Sequence, residues 1–284
     1  MRWPTACLCF LLVLLGSCAR AHGGSDQSIE LRVLVFNIFA GKDTTGARNL
    51  ERVAALVRET GADLVLLQEV DRRTRRSGGV DQPAVLASLT GYAAAFGRTL
   101  DYQDGEYGIA LLSRWPIARD TMVALPVSPA QERAGGSREP RGALMALIDA
   151  PSVVLAVVNT HLDASGDERY RLQELATLLP AAERQGSAAG GLLVGGDFNA
   201  RPGSEVIRRV LANGWRDAWT ECGGADPGYT FPAHAPDRRI DYLFLAADET
   251  CSEARVVSEG ISDHRALLVT VRITAPAGTR PSTR

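Results

Sequence analysis

The stretch from Glu30 to Val70 limits the fold more than any other part of the chain. "ELRVLVFNI", residues 30–38, alternates apolar β-branched residues and then runs on apolar, as a strand does when both of its faces become buried. "ARNLERVAALVRETG" follows, with Leu50, Val53, Ala54 and Val57 at helical spacing and Gly61 as its stop. "DLVLLQEV", Asp63 to Val70, is a second buried strand. Strand, helix and strand in that order predict a β-α-β unit inside a layered α/β domain.

Further strand-like runs fall at 108–113, 143–149, 153–160, 191–195, 240–245 and 266–273. The pair meeting at Ala150-Pro151-Ser152 leaves no room for a helix, so part of the sheet must be antiparallel. Asp167 to Gln185 reads as a second helix. The loop from Val127 to Gly142, rich in Pro, Gly and Arg, is expected to be mobile, and the tail 275–284 to be disordered. No repeat interrupts the chain, and 284 residues at 45% hydrophobic suit one large domain, placed at 30–274. A formal charge of −2 argues against a nucleic-acid coat protein, although basic patches are compatible with it. Lys42 is the sole lysine among many arginines, which reads as composition bias.

Residues 1–21 read as an export signal: Arg2 precedes an apolar run, Ala6 to Leu15, that falls short of the roughly 20 residues a membrane-spanning helix needs. Two processing sites remain open. Leu15-Gly16-Ser17-Cys18 resembles the lipobox of bacterial lipoproteins and is preferred; Ala19-Arg20-Ala21 is an A-x-A site that would release a soluble periplasmic or secreted protein. Lipid on Cys18 would hold the protein at a membrane surface, on a tether at 22–29. Cys222 and Cys251 then remain, as two buried thiols or as a disulfide; their spacing does not decide.

Each strand-like run delivers a polar residue as it ends: Asn37, Glu69, His161 in "VVNTHLD", Asp197 and Asn199 in "GGDFNA", Asp241 in "RRIDYLF", Asp263 and His264 in "ISDHRALL". Singly, an Asp or Asn in such a place is usually a turn residue bonded to its own backbone. Together, carboxylates and amides clustered at strand ends suit a hard divalent cation such as Mg²⁺, and two histidines add groups that stabilise charge. A phosphoester attacked by water needs these functions: its charge neutralised, the water held in line, the leaving oxygen stabilised. Asp197 and Asn199, two apart in an extended chain, lie on the same side, so one can address the water and the other the phosphoryl group.

The ordered set N…QE…NTH…GDFN…IDY…SDH resembles the endonuclease/exonuclease/phosphatase superfamily, the group of deoxyribonuclease I, neutral sphingomyelinases, inositol polyphosphate phosphatases and deadenylases. The likeness runs from about Leu31 to Ile273. It implies a four-layer α-β-β-α sandwich, two mixed β-sheets packed face to face with helices outside, and a site at one end. It also implies roles. Glu69 would bind Mg²⁺, for which Mn²⁺ can substitute, with Asn37 and Asp263 completing the metal neighbourhood. His161 would stabilise the phosphorane-like transition state, His264 would be its partner, oriented by Asp241, and Asn199 would donate to a phosphoryl oxygen. Asp197 would position or deprotonate the water; whether it or the Asp241–His264 pair is the base stays open.

The substrate is set by loops. Arg72 and Arg73 in "EVDRRTRR", with Arg75 and Arg76, either grip further phosphates or form a solvated arginine-rich loop; Tyr107 either faces substrate or packs, and Arg141 is a further candidate on the substrate side. Apurinic-site endonucleases of the superfamily lack a histidine where this chain has His161, which disfavours that branch. The acidic balance and the lipobox tilt the expectation from nucleic acid toward a phospholipid, an inositol phosphate or another small phosphorylated substrate. A monomeric, exported, Mg²⁺-dependent phosphoesterase is expected. An extracellular DNase or RNase, with nucleic acid as substrate only, is the alternative enzyme; a catalytically inactive binding domain is the alternative of another class.

Overall fold

The computed structural model describes residue 1 and residues 27–130, 139–257 and 260–275. The export signal and Cys18, most of the expected tether, the middle of the loop after Val127 and the tail 276–284 lie outside the described residues.

In chain order the strands are β1 (Gln27–Asn37), β2 (Leu64–Arg72), β3 (Ala93–Tyr102), β4 (Gly105–Ser113), β5 (Ile117–Leu125), β6 (Arg141–Ala150), β7 (Val153–His161), β8 (Gly191–Asp197), β9 (Arg216–Asp217), β10 (Asp241–Leu245), β11 (Thr250–Val257) and β12 (Ala266–Ala275). The helices are α1 (Leu50–Thr60), α2 (Gln82–Thr90), α3 (Glu168–Gly186), α4 (Glu205–Ala212) and α5 (Ala218–Cys222). β1 opens at Gln27, paired with Ala275 of β12, so the folded domain takes in three residues read as tether and one read as tail.

Among the described residues the strands form two six-stranded sheets, ordered β11-β12-β1-β2-β4-β3 and β5-β6-β7-β8-β10-β9. Each sheet holds one parallel pair, β1 with β2 and β7 with β8, and every other pairing is antiparallel. The crossover helices α1 and α3 join the parallel pairs, so the two halves repeat one plan. β6 and β7 meet across Pro151 as an antiparallel hairpin, with Ala150 opposite Val153.

Strand alternation explains the layers. Val33, Val35, Leu64 and Leu66 point between the sheets, where they meet Leu155, Val157, Leu193 and Leu243 of the other sheet. Leu34, Phe36, Val65 and Leu67 point outward and are covered by Leu50, Val53 and Val57 of α1. Val158, Val194 and Phe244 are covered in the same way by Leu175, Leu178 and Leu179 of α3. Both faces of the central strands are therefore buried, and their sequences are continuously apolar rather than alternating. The architecture is the four-layer α-β-β-α sandwich.

Cys222, at the end of α5, is bonded to Cys251 on β11 with a Cα–Cα separation of 6.0 Å. The bridge joins an element beside the second sheet to the edge of the first. It closes a loop with a sequence separation of 29, for which chain-entropy reasoning gives roughly 3–4 kcal/mol. Cys222→Ser with Cys251→Ser should accordingly lower the Tm by about 6–16 °C in a domain of this size. Calorimetry of both forms checks this; equal Tm values would show that the bridge does not constrain the unfolded chain.

Candidate active site

The parallel registers bring the strand-end residues together. Asn37 lies opposite Gln68 at the end of the β1–β2 pair, and His161 lies opposite Asp197 at the end of the β7–β8 pair. β10 starts with Asp241 directly opposite Asp197. The sheets meet face to face at this end, so the side chains converge around one cleft of ≈ 610 Å³.

Glu69 reaches the cleft through an irregularity. The β2–β4 register shifts between Leu67 and Val70, and Glu69 sits at φ 54°, a left-handed conformation costly for a non-glycine residue. Two buried amides hold the bulge in place. Asn159 donates through Nδ2 to the carbonyls of Leu67 and Ala110, each at 2.9 Å, and Gln68 donates through Nε2 to Asn159 Oδ1 at 2.7 Å. These amides belong to facing sheets and occupy positions that apolar alternation would give to the core. They fix the aim of Glu69 by satisfying the backbone groups that the bulge frees.

Asn37 is fully buried. Its Oδ1 accepts from the Phe39 N–H at 3.1 Å, which turns Nδ2 toward Glu69 Oε1 at 3.1 Å and Asp197 Oδ2 at 3.2 Å. In this arrangement Asn37 acts on the site as a donor that orients two carboxylates, rather than offering its oxygen as a ligand. Asp263 stands on the rim, its Oδ1 3.2 Å from the Ser262 oxygen, and the one proton of that hydroxyl is donated to the Asn37 carbonyl at 2.7 Å. Burial pushes the Glu69 carboxyl up, against the pull of the Asn37 amide, and the charge of Asp263 adds to the rise. Burial likewise raises Asp263. Crowded, partly desolvated oxygen donors of this kind match what a hard divalent cation requires. Asp197, Asp241 and His264 form a second group that could hold a metal, with candidate ligand atoms all within 4.8 Å of one another.

In the structure, two atoms of that second group are engaged with each other. Asp241 Oδ2 pairs with His264 Nδ1 at 2.9 Å, and Asp241 Oδ1 has no hydrogen-bond partner among the described residues. Burial opposes a charged imidazole, but the Asp241 carboxylate, with Asp197 and Asp263 behind it, outweighs burial and pushes His264 up to about 10. His264 is therefore an imidazolium at neutral pH, and its Nε2 lies 3.7 Å from Asp197 Oδ2. Asp197 is raised by burial first and by the charge of Asp241 second. Both candidates for the base, Asp197 and the Asp241–His264 pair, thus face each other at the cleft.

His161 is flanked differently. Arg141, buried beneath it, places Nη1 at 3.2 Å from His161 Nδ1 and at 2.5 Å from Glu139 Oε1. The guanidinium only donates, and so does the Asn199 amide nitrogen on the other side of the ring, so the two compete for the single acceptor nitrogen of a neutral imidazole. His161 Nε2 faces the cleft, 3.6 Å from Asp197 Oδ2 and 3.1 Å from Asn199 Nδ2. The two histidines thus have different surroundings, His264 on a carboxylate and His161 between a guanidinium and an amide. Tyr107 completes the wall, its hydroxyl donating to Glu139 Oε1 at 3.0 Å. Asn199 takes φ 47°, with its N–H on Asp197 Oδ1 at 2.9 Å and its Nδ2 on the Leu162 carbonyl at 3.0 Å.

The structure thus gathers Glu69, Tyr107, Arg141, His161, Asp197, Asn199, Asp263 and His264 on the cleft, with Asn37 and Asp241 buried beneath it. Arg72 and Arg73 are not among them. Arg72 is bonded to Glu106 and stacks over Phe96 at 4.6 Å, and Arg73 pairs with Asp81 at 3.5 Å. They pair instead with the neighbouring hairpin and with Asp81, the residue that caps α2, and do not line the cleft. Gln68, Asn159, Ser262 and Glu139 were not foreseen as parts of the site.

Comparison with known proteins agrees with this geometry. An uncharacterised protein of Escherichia coli strain K12, YbhP, is 29% identical over 236 residues, which cover 77% of this chain and 86% of that protein. The crystal structure of an endonuclease/exonuclease/phosphatase from Beutenbergia cavernae superposes with a TM-score of 0.71 at 26% identity, over 88% of this chain and 74% of that one. A mannosyl-6-phosphatase of Bacteroides thetaiotaomicron shares the fold, with a TM-score of 0.68 at 17% identity over 85% of this chain and 99% of that one. The pattern of the endonuclease/exonuclease/phosphatase family matches residues 34–264, and the chain belongs to that family, whose members are hydrolases of phosphoester bonds.

Proposed function

We propose that the protein is an exported, Mg²⁺-dependent phosphoesterase that hydrolyses a phosphodiester or phosphomonoester by in-line attack of water. The observation that carries this reading is the convergence on Asp197 of His161, the His264 imidazolium and the Asn37 amide, next to Glu69 and Asp263. Glu69 and Asp263 would hold the metal, which when bound offsets charge on the phosphoryl oxygens. Asp197 holds the attacking water and takes its proton. His161 Nε2 and the Asn199 amide donate to phosphoryl oxygens, and the His264 imidazolium stabilises the charge that builds in the transition state.

The preferred substrate is a phospholipid headgroup, an inositol phosphate or another small phosphorylated molecule, in keeping with the slightly acidic chain. The mannosyl-6-phosphatase relative adds sugar phosphates to that class. Retention of the whole donor set speaks against an inactive binding domain. Export rests on the apolar run and lipobox at the N-terminus, with the membrane surface reached through Cys18.

The first assay is Mg²⁺-dependent nicking of supercoiled plasmid alongside hydrolysis of bis(p-nitrophenyl) phosphate, with EDTA and His161→Ala as controls. Expected is turnover of the small diester that both controls abolish, without nicking. Nicking that both controls abolish would replace the small-substrate reading with an extracellular nuclease. Absence of any phosphoester cleavage would overturn the enzyme reading itself.

A further inference from the structure

At ≈ 610 Å³ the cleft is much roomier than one phosphoryl group requires, and its two walls differ in charge. On one wall Arg76 is fully compensated. It holds Asp71 through two bonds of 2.8 Å, and its guanidinium lies over Tyr102 at 4.8 Å and Tyr107 at 5.2 Å. Each arginine of that loop has a carboxylate of its own: Arg72 with Glu106, Arg73 with Asp81, Arg75 with Asp104, Arg76 with Asp71. The wall they leave is neutral and aromatic.

The opposite wall is built from the loops after β8 and before β10, and there two guanidinia share one carboxylate. Arg238 donates through Nε to Asp237 Oδ1 at 2.7 Å, and Arg201 Nη2 lies 3.8 Å from the same oxygen while its Nη1 donates to the Asp237 carbonyl at 3.0 Å. This trio keeps a net positive charge beside a floor otherwise crowded with Glu69, Asp197 and Asp263. Of the three, Arg238 is also anchored, while Arg201 and Asp237 are more than half exposed. Arg238 stacks over Phe231 at 5.0 Å, and the Phe231 ring packs on His264 at 4.7 Å. The cation therefore stands one aromatic ring away from the imidazolium, held by stacking rather than left to swing in solvent.

We propose that Arg201 and Arg238 form a second anion subsite, which holds a phosphate of the substrate other than the one being hydrolysed. A pair of planar guanidinium forks suits the oxygens of a phosphate, and a group bound there would orient the scissile ester between His161 and His264. The chemistry required is a molecule with two phosphates, either an inositol phosphate headgroup or a nucleotide chain with a terminal phosphate. The inference rests on the phosphoesterase reading above.

The test compares wild type with Arg201→Gln/Arg238→Gln, both with Mg²⁺, on three probes. Bis(p-nitrophenyl) phosphate has no second phosphate. Glycerophosphoinositol is used with and without a ring phosphate, and a thymidine dinucleotide with and without a terminal phosphate. Wild type should favour the doubly phosphorylated member of one pair by about ten-fold or more in kcat/KM, mostly through KM. The variant should lose that preference while cleaving bis(p-nitrophenyl) phosphate as wild type does. Whichever pair shows the preference identifies the source of the second phosphate. A wild type without preference in either pair, or a variant that keeps it, overturns the subsite but leaves the phosphoesterase standing. A wild type that cleaves no probe overturns both.

Discussion

Replacing Asp241 with asparagine should lower kcat/KM by about 10³- to 10⁴-fold, with the fold intact. The carboxylate contributes charge as well as shape. Without it, burial acts on the His264 ring unopposed by its nearest counter-charge, and the imidazole falls from about 10 toward its neutral form. In wild type, activity should rise from acid pH as the raised Asp197 ionises, then decline as His264 loses its proton near pH 10. In Asp241→Asn the alkaline decline should move to lower pH. The same interaction bears on stability. Since folding raises this pKa, its contribution is full below the ordinary value of 6.5 and fades as pH climbs through about 10. A pH–rate profile of the variant whose alkaline limb stays in place would remove His264 from the role assigned to it.

Glu69→Gln should cost about 10²- to 10³-fold in Mg²⁺-supported turnover while raising the Tm of the metal-free protein at pH 8. The reasoning combines two facts. Folding raises the Glu69 pKa, chiefly through burial, so the ionised carboxylate burdens the metal-free fold increasingly as pH rises through its shifted range. Glutamine keeps the acceptor for Asn37 and drops the charge. Wild type should recover the difference by binding Mg²⁺, its Tm climbing with concentration, whereas the variant should not respond. Thermal melts across a Mg²⁺ titration measure this directly. A variant that still gains Tm with Mg²⁺ would place the ion on the Asp197 side of the cleft instead.

Much of this site is legible in the sequence because its residues end apolar strands. The run "LRVLVFN" brings out Asn37 and "VVLAVVNTH" brings out His161, and parallel registers make the two ends coincide. The supporting amides were harder to see. Gln68 and Asn159 have the parity of inward-facing residues, after Leu64 and Leu66 in one strand and Leu155 and Val157 in the other, and a polar residue at that parity is the signal that it bonds across the sheets. The edge strands β3, β5 and β11 escaped notice for another reason. Only one side of an edge strand is paired, and runs such as "IARDTMVAL" carry exposed charges without clean alternation. Charge in the loops misled because a sequence does not reveal its own ion pairs. Arg72 and Arg73 look available in "DRRTRR", but Glu106 and Asp81 have claimed them in space.

Every working part of the cleft is shared between the sheets: Asn37 and Glu69 come from one, His161 and Asp197 from the other, and the Asn37–Asp197 bond spans 160 positions of chain. A molecule with only one sheet assembled would own half a catalytic set and no partial competence. Turnover should thus report the docking of the two halves as a single event, and an incompletely folded copy would be silent rather than a loosely selective hydrolase.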